Sequence, residues 1–240
     1  MIEFARQSNV DDGETEPDTI NDEPTDWQQM FPVTWENRAN TLRHNLQAIE
    51  SVFDLNKSYF NGNAIPHDDR QPRLSWRVAT LPYAEANDLY MRFATSETWQ
   101  STTNKPLLDE APLHVSTIDA IPAGLSNILT PYGPQAAFGE AGDRVMLAPD
   151  LLDGLADTVC LIEVAAEHAV PWTRPVDFKF NANEEAPNWP AFGLPDEPFV
   201  LVGTLDGKVH RVRKDIGHEA WLRLLNRADG EEIDWEELEY

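Results

Sequence analysis

From Trp35 onward, apolar residues return at Ala39, Leu42, Leu46, Ile49 and Phe53, the three-and-four spacing that gathers side chains on one face of a helix. Thr34 stands before this run as an N-cap, with Asn37 at the position where a capping box would carry Glu. Asn61-Gly62 follows as a stop, so the pattern predicts a helix over about residues 35–60. A second helical stretch starts at Ser75 in LSWRVATLPYAEANDLYMRF, with Trp76, Leu81, Leu89, Tyr90 and Phe93 as packing groups. Pro82 lies inside it and, lacking an amide donor, predicts a kink or a division into short helices.

Beyond about Leu113 the period changes. The runs LHVSTI, SNILT, RVMLAP, TVCLIEV and FVLVGTLDGKVHRV, punctuated by Pro and Gly, read as short strands. In the last of them Asp206-Gly207 sits between two apolar runs, which predicts a hairpin with a two-residue type I′ turn. DIGHEAWLRLLNR then places Trp221, Leu224 and Leu225 at helical spacing, and EEIDWEELEY reads as an acidic surface tail. A long helix, a kinked second helix, closely spaced strands and a short C-terminal helix define an α+β fold. Its sheet should be mainly antiparallel, because the strands lie too close together for helical crossovers.

Charge divides the chain. The first thirty or so residues cluster Asp and Glu (DDGETEPD, NDEPTD) with Arg6 as their only basic side chain. They offer too little apolar surface to offset their ordering entropy. The expected organisation is therefore a disordered acidic tail over residues 1–30 and a single globular domain over 31–240. The formal net charge of −24 leaves no basic patch to neutralise phosphates, which argues against nucleic acid as a partner. The apolar runs fall far short of the ~20 residues needed to cross a bilayer, and the N-terminus has no apolar signal core. The lone Cys160, in TVCLIEV, has no cysteine to pair with and reads as a buried thiol.

The stretch EVAAEHAVPWTRPVDF, Glu163 to Phe178, holds the densest candidate chemistry. Glu163, Glu167 and His168 would form an acid–base group if the chain turned back at Ala165 and Ala166. However, the sequence has no G-x-S-x-G elbow, no H-E-x-x-H and no glycine-rich phosphate loop to supply a nucleophile, a metal or a phosphate cradle. A scaffold role, with Trp172 buried and Pro171 setting the turn, is the expected reading. His67, Asp68 and Asp69 in IPHDDR read as a solvated turn. Asp153 and Asp157 form the one calcium candidate, outside any EF-hand pattern, against a plain turn-forming role. The eight tryptophans, 27, 35, 76, 99, 172, 189, 221 and 235, read mostly as core.

Five blocks, in order, resemble one known family. They are NLQAIESVFDLNKSYF followed by IP; LSWRVATLPYAEANDLYMRF with Trp99 and Asn104; SNILTPYGPQAAF; LLDGLADTVCLIEVAAEHAVPWTRPVDF; and FVLVGTLDGKVHRV. Together they are similar to the planctomycete-type pilin-like (H-x9-DG, prepilin-type) family, a domain of unknown function, over about Asn40 to Glu232. The resemblance implies a pseudopilin-like fold, a long N-terminal helix packed on an antiparallel sheet, and no established catalytic activity or cofactor. It implies a structural or interaction role at the cell envelope, with solute binding as the alternative. The positions carrying the family motif are Leu74, Trp76, Pro82, Tyr83, Trp99, Asp153, Gly154, Thr158, Glu163, Pro171, Trp172, Asp206 and Gly207. Family members usually begin with a prepilin leader and an apolar helix, which this chain lacks. Asp196 stands where the family's histidine precedes its Asp-Gly pair, and LDGLADT, Leu152 to Thr158, replaces the usual TDGTSNT. Without leader or stem, the expected state is a monomer or weak dimer with protein partners unknown.

Overall fold

The computed structural model describes residues 34–56, 73–119, 121–139, 151–183 and 189–240, with the side chains of 54–56 left out. The acidic segment 1–30, the helix stop at Asn61-Gly62, the IPHDDR turn and the RVMLAP run all fall outside the described residues. The chain forms a mixed α+β fold with antiparallel sheets.

Helix α1 spans Trp35–Asn56, and Thr34 caps it, its hydroxyl accepting from the Asn37 amide at 3.3 Å. The next helical stretch is divided at Pro82. It begins as α2, Trp76–Ala79, capped by Ser75, and continues as a 3-10 turn over Leu81–Tyr83 with the proline in its first positions, where its missing N–H costs nothing. It ends as α3, Asn87–Tyr90.

Among the described residues, eight strands follow: β1 Leu125–Ser126, β2 Ile128–Leu129, β3 Pro131–Tyr132, β4 Val159–Glu163, β5 Val170–Pro171, β6 Phe178–Lys179, β7 Phe199–Thr204 and β8 Val209–Arg213. The main sheet is antiparallel, in the order β2-β4-β7-β8. β1 pairs antiparallel with β5, and β3 pairs parallel with β6. Helix α4, His218–Leu225, and the single turn α5, Trp235–Leu238, complete the chain.

Both faces of the central strands β4 and β7 are buried, which explains why they read as unbroken apolar runs instead of alternating ones, whereas the edge strand β8 alternates. Leu161, Phe199 and Leu201 point to one core with Leu42, Leu46 and Ile49 of α1. Ile162, Val200 and Val202 point to the other, with Trp221, Leu224 and Leu225 of α4. Gly203 lets α1 approach: a Cβ there would lie 3.0 Å from a methyl of Leu46. A third core gathers Leu74, Val78, Leu81, Phe93, Leu107, Val115 and Trp172.

Two expectations need correction. LHVSTI is not a strand: Leu113–Val115 is a 3-10 turn that buries Val115 in the third core and leaves Leu113 95% exposed. The hairpin between β7 and β8 has a three-residue loop, not a two-residue type I′ turn. Gly207 donates to the Thr204 carbonyl at 3.0 Å and is the one loop residue with positive φ, +85°. Asp206 keeps a negative φ because its Oδ1 accepts from the Thr204 hydroxyl at 2.6 Å and the Lys208 amide at 3.2 Å. The result is a type I turn followed by a left-handed glycine.

The C-terminal tail is mostly exposed, as expected, and it also pairs with the sheet. Glu239 bridges Val212, Tyr240 donates to the Arg211 carbonyl at 2.8 Å, and Trp235 stacks on His210 with centroids 3.7 Å apart. It therefore covers the outer edge of β8. The described tryptophans belong mostly to the cores, as expected: Trp76, Trp172 and Trp221 are buried, and the half-buried Trp35, Trp99, Trp189 and Trp235 pack against the same clusters, while Trp27 lies outside the described residues.

Candidate functional site

The stretch Glu163–Phe178 runs from β4 through a 3-10 turn, Ala166–His168, into β5 and β6, and its ionisable residues go to three different places. Glu163 ends β4 with its side chain wholly buried. The Arg38 guanidinium of α1 lies 3.2 Å from its Oε1, an ion pair between side chains 2% and 0% exposed. The Thr117 hydroxyl donates to the same oxygen at 2.5 Å. Asn127 organises that contact, donating to the Thr117 hydroxyl at 2.7 Å and accepting from the Thr117 amide at 2.9 Å. Arg38 also forks onto Glu197, with Nη1 2.8 Å from Oε1 and Nη2 on Oε2. Burial pushes the Glu163 carboxyl above its usual range, and Arg38 opposes that.

A second buried pair lies under β6. Arg77 Nη2 donates to Asp177 Oδ1 at 2.7 Å, between side chains 1% and 0% exposed. Arg77 also donates to the hydroxyls of Ser126 and Ser75 and to the Ile128 carbonyl. Asp177 Oδ1 accepts the Thr130 amide at 2.9 Å. Here too burial raises the carboxyl and Arg77 opposes it. This pair joins α2 to the strand segments around β2 and β6. Sequence reasoning missed it, because a hundred residues separate its members.

His168 and Asp177 line the same pocket, of about 420 Å³, with Leu129, Val170, Phe178 and Trp189 among its walls. The fold thus separates the three residues of the acid–base candidate. Glu163 belongs to the Arg38 network, Glu167 is exposed on the 3-10 turn, and His168 is half-buried at the pocket.

The remaining motif residues hold the fold together. Leu74 and Trp76 are buried, Pro82 and Tyr83 form the 3-10 turn, and the Trp99 amide donates to the Arg73 carbonyl at 2.9 Å. Pro171 pairs with Leu125, while Trp172 is fully buried and donates its indole N–H to the Leu108 carbonyl at 2.9 Å. The Thr158 hydroxyl donates to the Gly154 carbonyl at 2.7 Å.

The calcium candidate is occupied by turn chemistry. Asp153 accepts the amides of Gly230 and Asp229 at 2.7 and 3.1 Å, and Asp157 accepts the Trp235 indole N–H at 3.0 Å. Among the described residues, no three His, Cys, Asp or Glu side chains converge as metal ligands. Cys160 is buried, and burial pushes its thiol up, away from the reactive thiolate.

No helix among the described residues is long and apolar enough to cross a membrane. Compared with protein-family models, curated proteins and solved structures, the chain matches none.

Proposed function

We propose that the chain is a non-enzymatic, pilin-like interaction module of the cell envelope. One observation carries this reading. Glu163, the acid of the stretch that most resembles an active site, is committed to Arg38 and Thr117 inside the protein. A general acid or base must reach its substrate's proton at hydrogen-bond distance, and a side chain with no exposure cannot do so without opening the core. The side-chain set shared by α1 and the antiparallel sheet supports a pseudopilin-like arrangement, and the acidic surface keeps such a module soluble and selective for basic partner faces.

Fractionating the cells that make this chain, after cross-linking, tests the reading. It should be recovered with the envelope and joined to a protein partner. Recovery as a free cytosolic monomer overturns the proposal, as does turnover of an ester, amide, phosphoester or glycoside by the purified chain.

A further inference from the structure

The outer edge of β8 carries an inference that goes beyond the interaction-module reading and stands independently of it. In the β7–β8 ladder the Thr204 amide donates to the Lys208 carbonyl and the Lys214 amide to the Pro198 carbonyl. Antiparallel bonding alternates along a strand, so the backbone groups of Val209, Arg211 and Arg213, which are out of phase with those two ties, face outward. One of them, the Arg211 carbonyl, is taken by the Tyr240 amide at 2.8 Å, and the tail pairs with this edge through a single bridge, Val212 to Glu239. Such an edge is a template for another strand.

Charge and burial describe what covers it. β8 lies in Lys208–Lys214, KVHRVRK, the densest basic stretch of a chain whose formal net charge is −24. Residues 231–240, EEIDWEELEY, answer it with six acids and no base. The tail is anchored at His210: the Trp235 ring stacks on the imidazole, Glu239 Oε1 lies 2.6 Å from its Nδ1, and the Trp235 indole N–H donates to Asp157. Yet none of residues 226–240 is buried, so little apolar contact opposes their release. The ion pairs of Lys208 with Asp206 and of Arg213 with Asp215 lie at the surface between near neighbours in sequence and hold those cations weakly.

We propose that the tail is a displaceable strap, and that the edge beneath it takes an extended, acidic segment of a protein partner, which adds as a strand alongside β8 and sets an aromatic ring on His210. Main-chain bonds along a sheet edge supply affinity, and side chains at alternate positions supply selection. The tail defines that selection because it already fills the site, with a ring on His210, a carboxylate at its Nδ1 and a surplus of acid beside Arg211 and Arg213. A second copy of the chain is the poorer occupant, since two bodies of charge −24 repel each other.

An unlabelled peptide of sequence EEIDWEELEY, titrated into the isotope-labelled full chain and followed by its amide and indole resonances, stands in for the partner. In the wild type the strap competes at the millimolar effective concentration of a short tether. Peptide at about ten times that level should shift the Val209, Arg211 and Arg213 amides and release the Trp235 indole N–H to its unstacked position. Trp235→Ala/Glu239→Gln, which loosens the strap, should tighten binding roughly tenfold. Arg211→Gln/Arg213→Gln in that background should reverse the gain, and a peptide whose acids are replaced by the corresponding amides should bind roughly tenfold more weakly. Thermal unfolding shows whether each variant is folded, and the wild-type titration decides the matter if the loosened variant is not. Unmoved β8 amides in the wild type at the highest peptide level, no gain in a folded chain with a loosened strap, or equal binding of the neutral peptide would each overturn the proposal.

Discussion

Arg38 and Glu163 form an ion pair at 3.2 Å in which neither side chain reaches solvent. Desolvating two charges is costly, and removing one partner leaves the other uncompensated in the core. Arg38→Met should therefore cost about 3–5 kcal/mol of stability. The double variant Arg38→Met/Glu163→Leu should recover much of that, since an apolar pair of similar volume avoids the desolvation. Urea midpoints of the three proteins decide it. A double variant no better than the single would show that Glu163 is held by Thr117 rather than by charge pairing.

Trp172→Ala should cost about 3–5 kcal/mol, the range for truncating a large buried aromatic. The variant also leaves the Leu108 carbonyl without its donor and removes the edge-on contact with Phe93 at 5.7 Å. Glu167→Gln and His168→Gln should change stability by no more than about 0.5 kcal/mol, as for surface positions. Thermal unfolding checks all three, and the reverse order of effects would return the acid–base reading of the stretch to contention.

His114 packs on His44 with ring centroids 4.8 Å apart. Burial first, and the neighbouring imidazole second, lower its pKa to about 4. A lowered folded pKa means that the unfolded chain takes up the proton first as pH falls. The stability it contributes is thus complete above the ordinary histidine value of ~6.5 and is lost as pH falls towards about 4. The loss should reach about 2 kcal/mol after allowance for partial exposure. Glu163 and Asp177, raised by burial, act in the opposite sense, losing stability as pH rises. The informative quantity is therefore the difference between wild type and His114→Gln across pH 7 to 4. Parallel curves would count against the pair.

The net charge of −24 opposes close self-association at low ionic strength. Light scattering should find a monomer or a weak dimer, with any dimer favoured by added salt that screens the repulsion. Filaments at moderate salt would show that the folded surfaces alone carry a strong interface.

Legibility followed the range of the interactions. Helix α1 was readable because its determinants are local: the three-and-four spacing and Thr34 one residue ahead of Trp35. The hairpin was readable for the same reason, but its turn type was not, because Asp206 is held by side-chain hydrogen bonds that a dipeptide rule ignores. LHVSTI misled because its alternation buries Val115 in a 3-10 turn and Thr117 against Glu163 rather than forming a sheet face. The separation of Glu163 from His168, and the pairing of Arg77 with Asp177 across a hundred residues, are products of the sheet order and lie beyond any local pattern.

The Arg38 fork onto Glu197 joins residues 159 positions apart, and that span has a consequence during synthesis. At 5–20 residues per second, a ribosome needs about 8–30 s to deliver Glu197 after Arg38. Helix α1 also waits through that interval for β7, which carries Phe199 and Leu201, two of the residues its apolar face packs against. A nascent chain of this kind carries an unburied helix stripe and an uncompensated arginine for far longer than hydrophobic collapse takes. Its yield in a cell accordingly depends on what shields that stripe before β7 emerges.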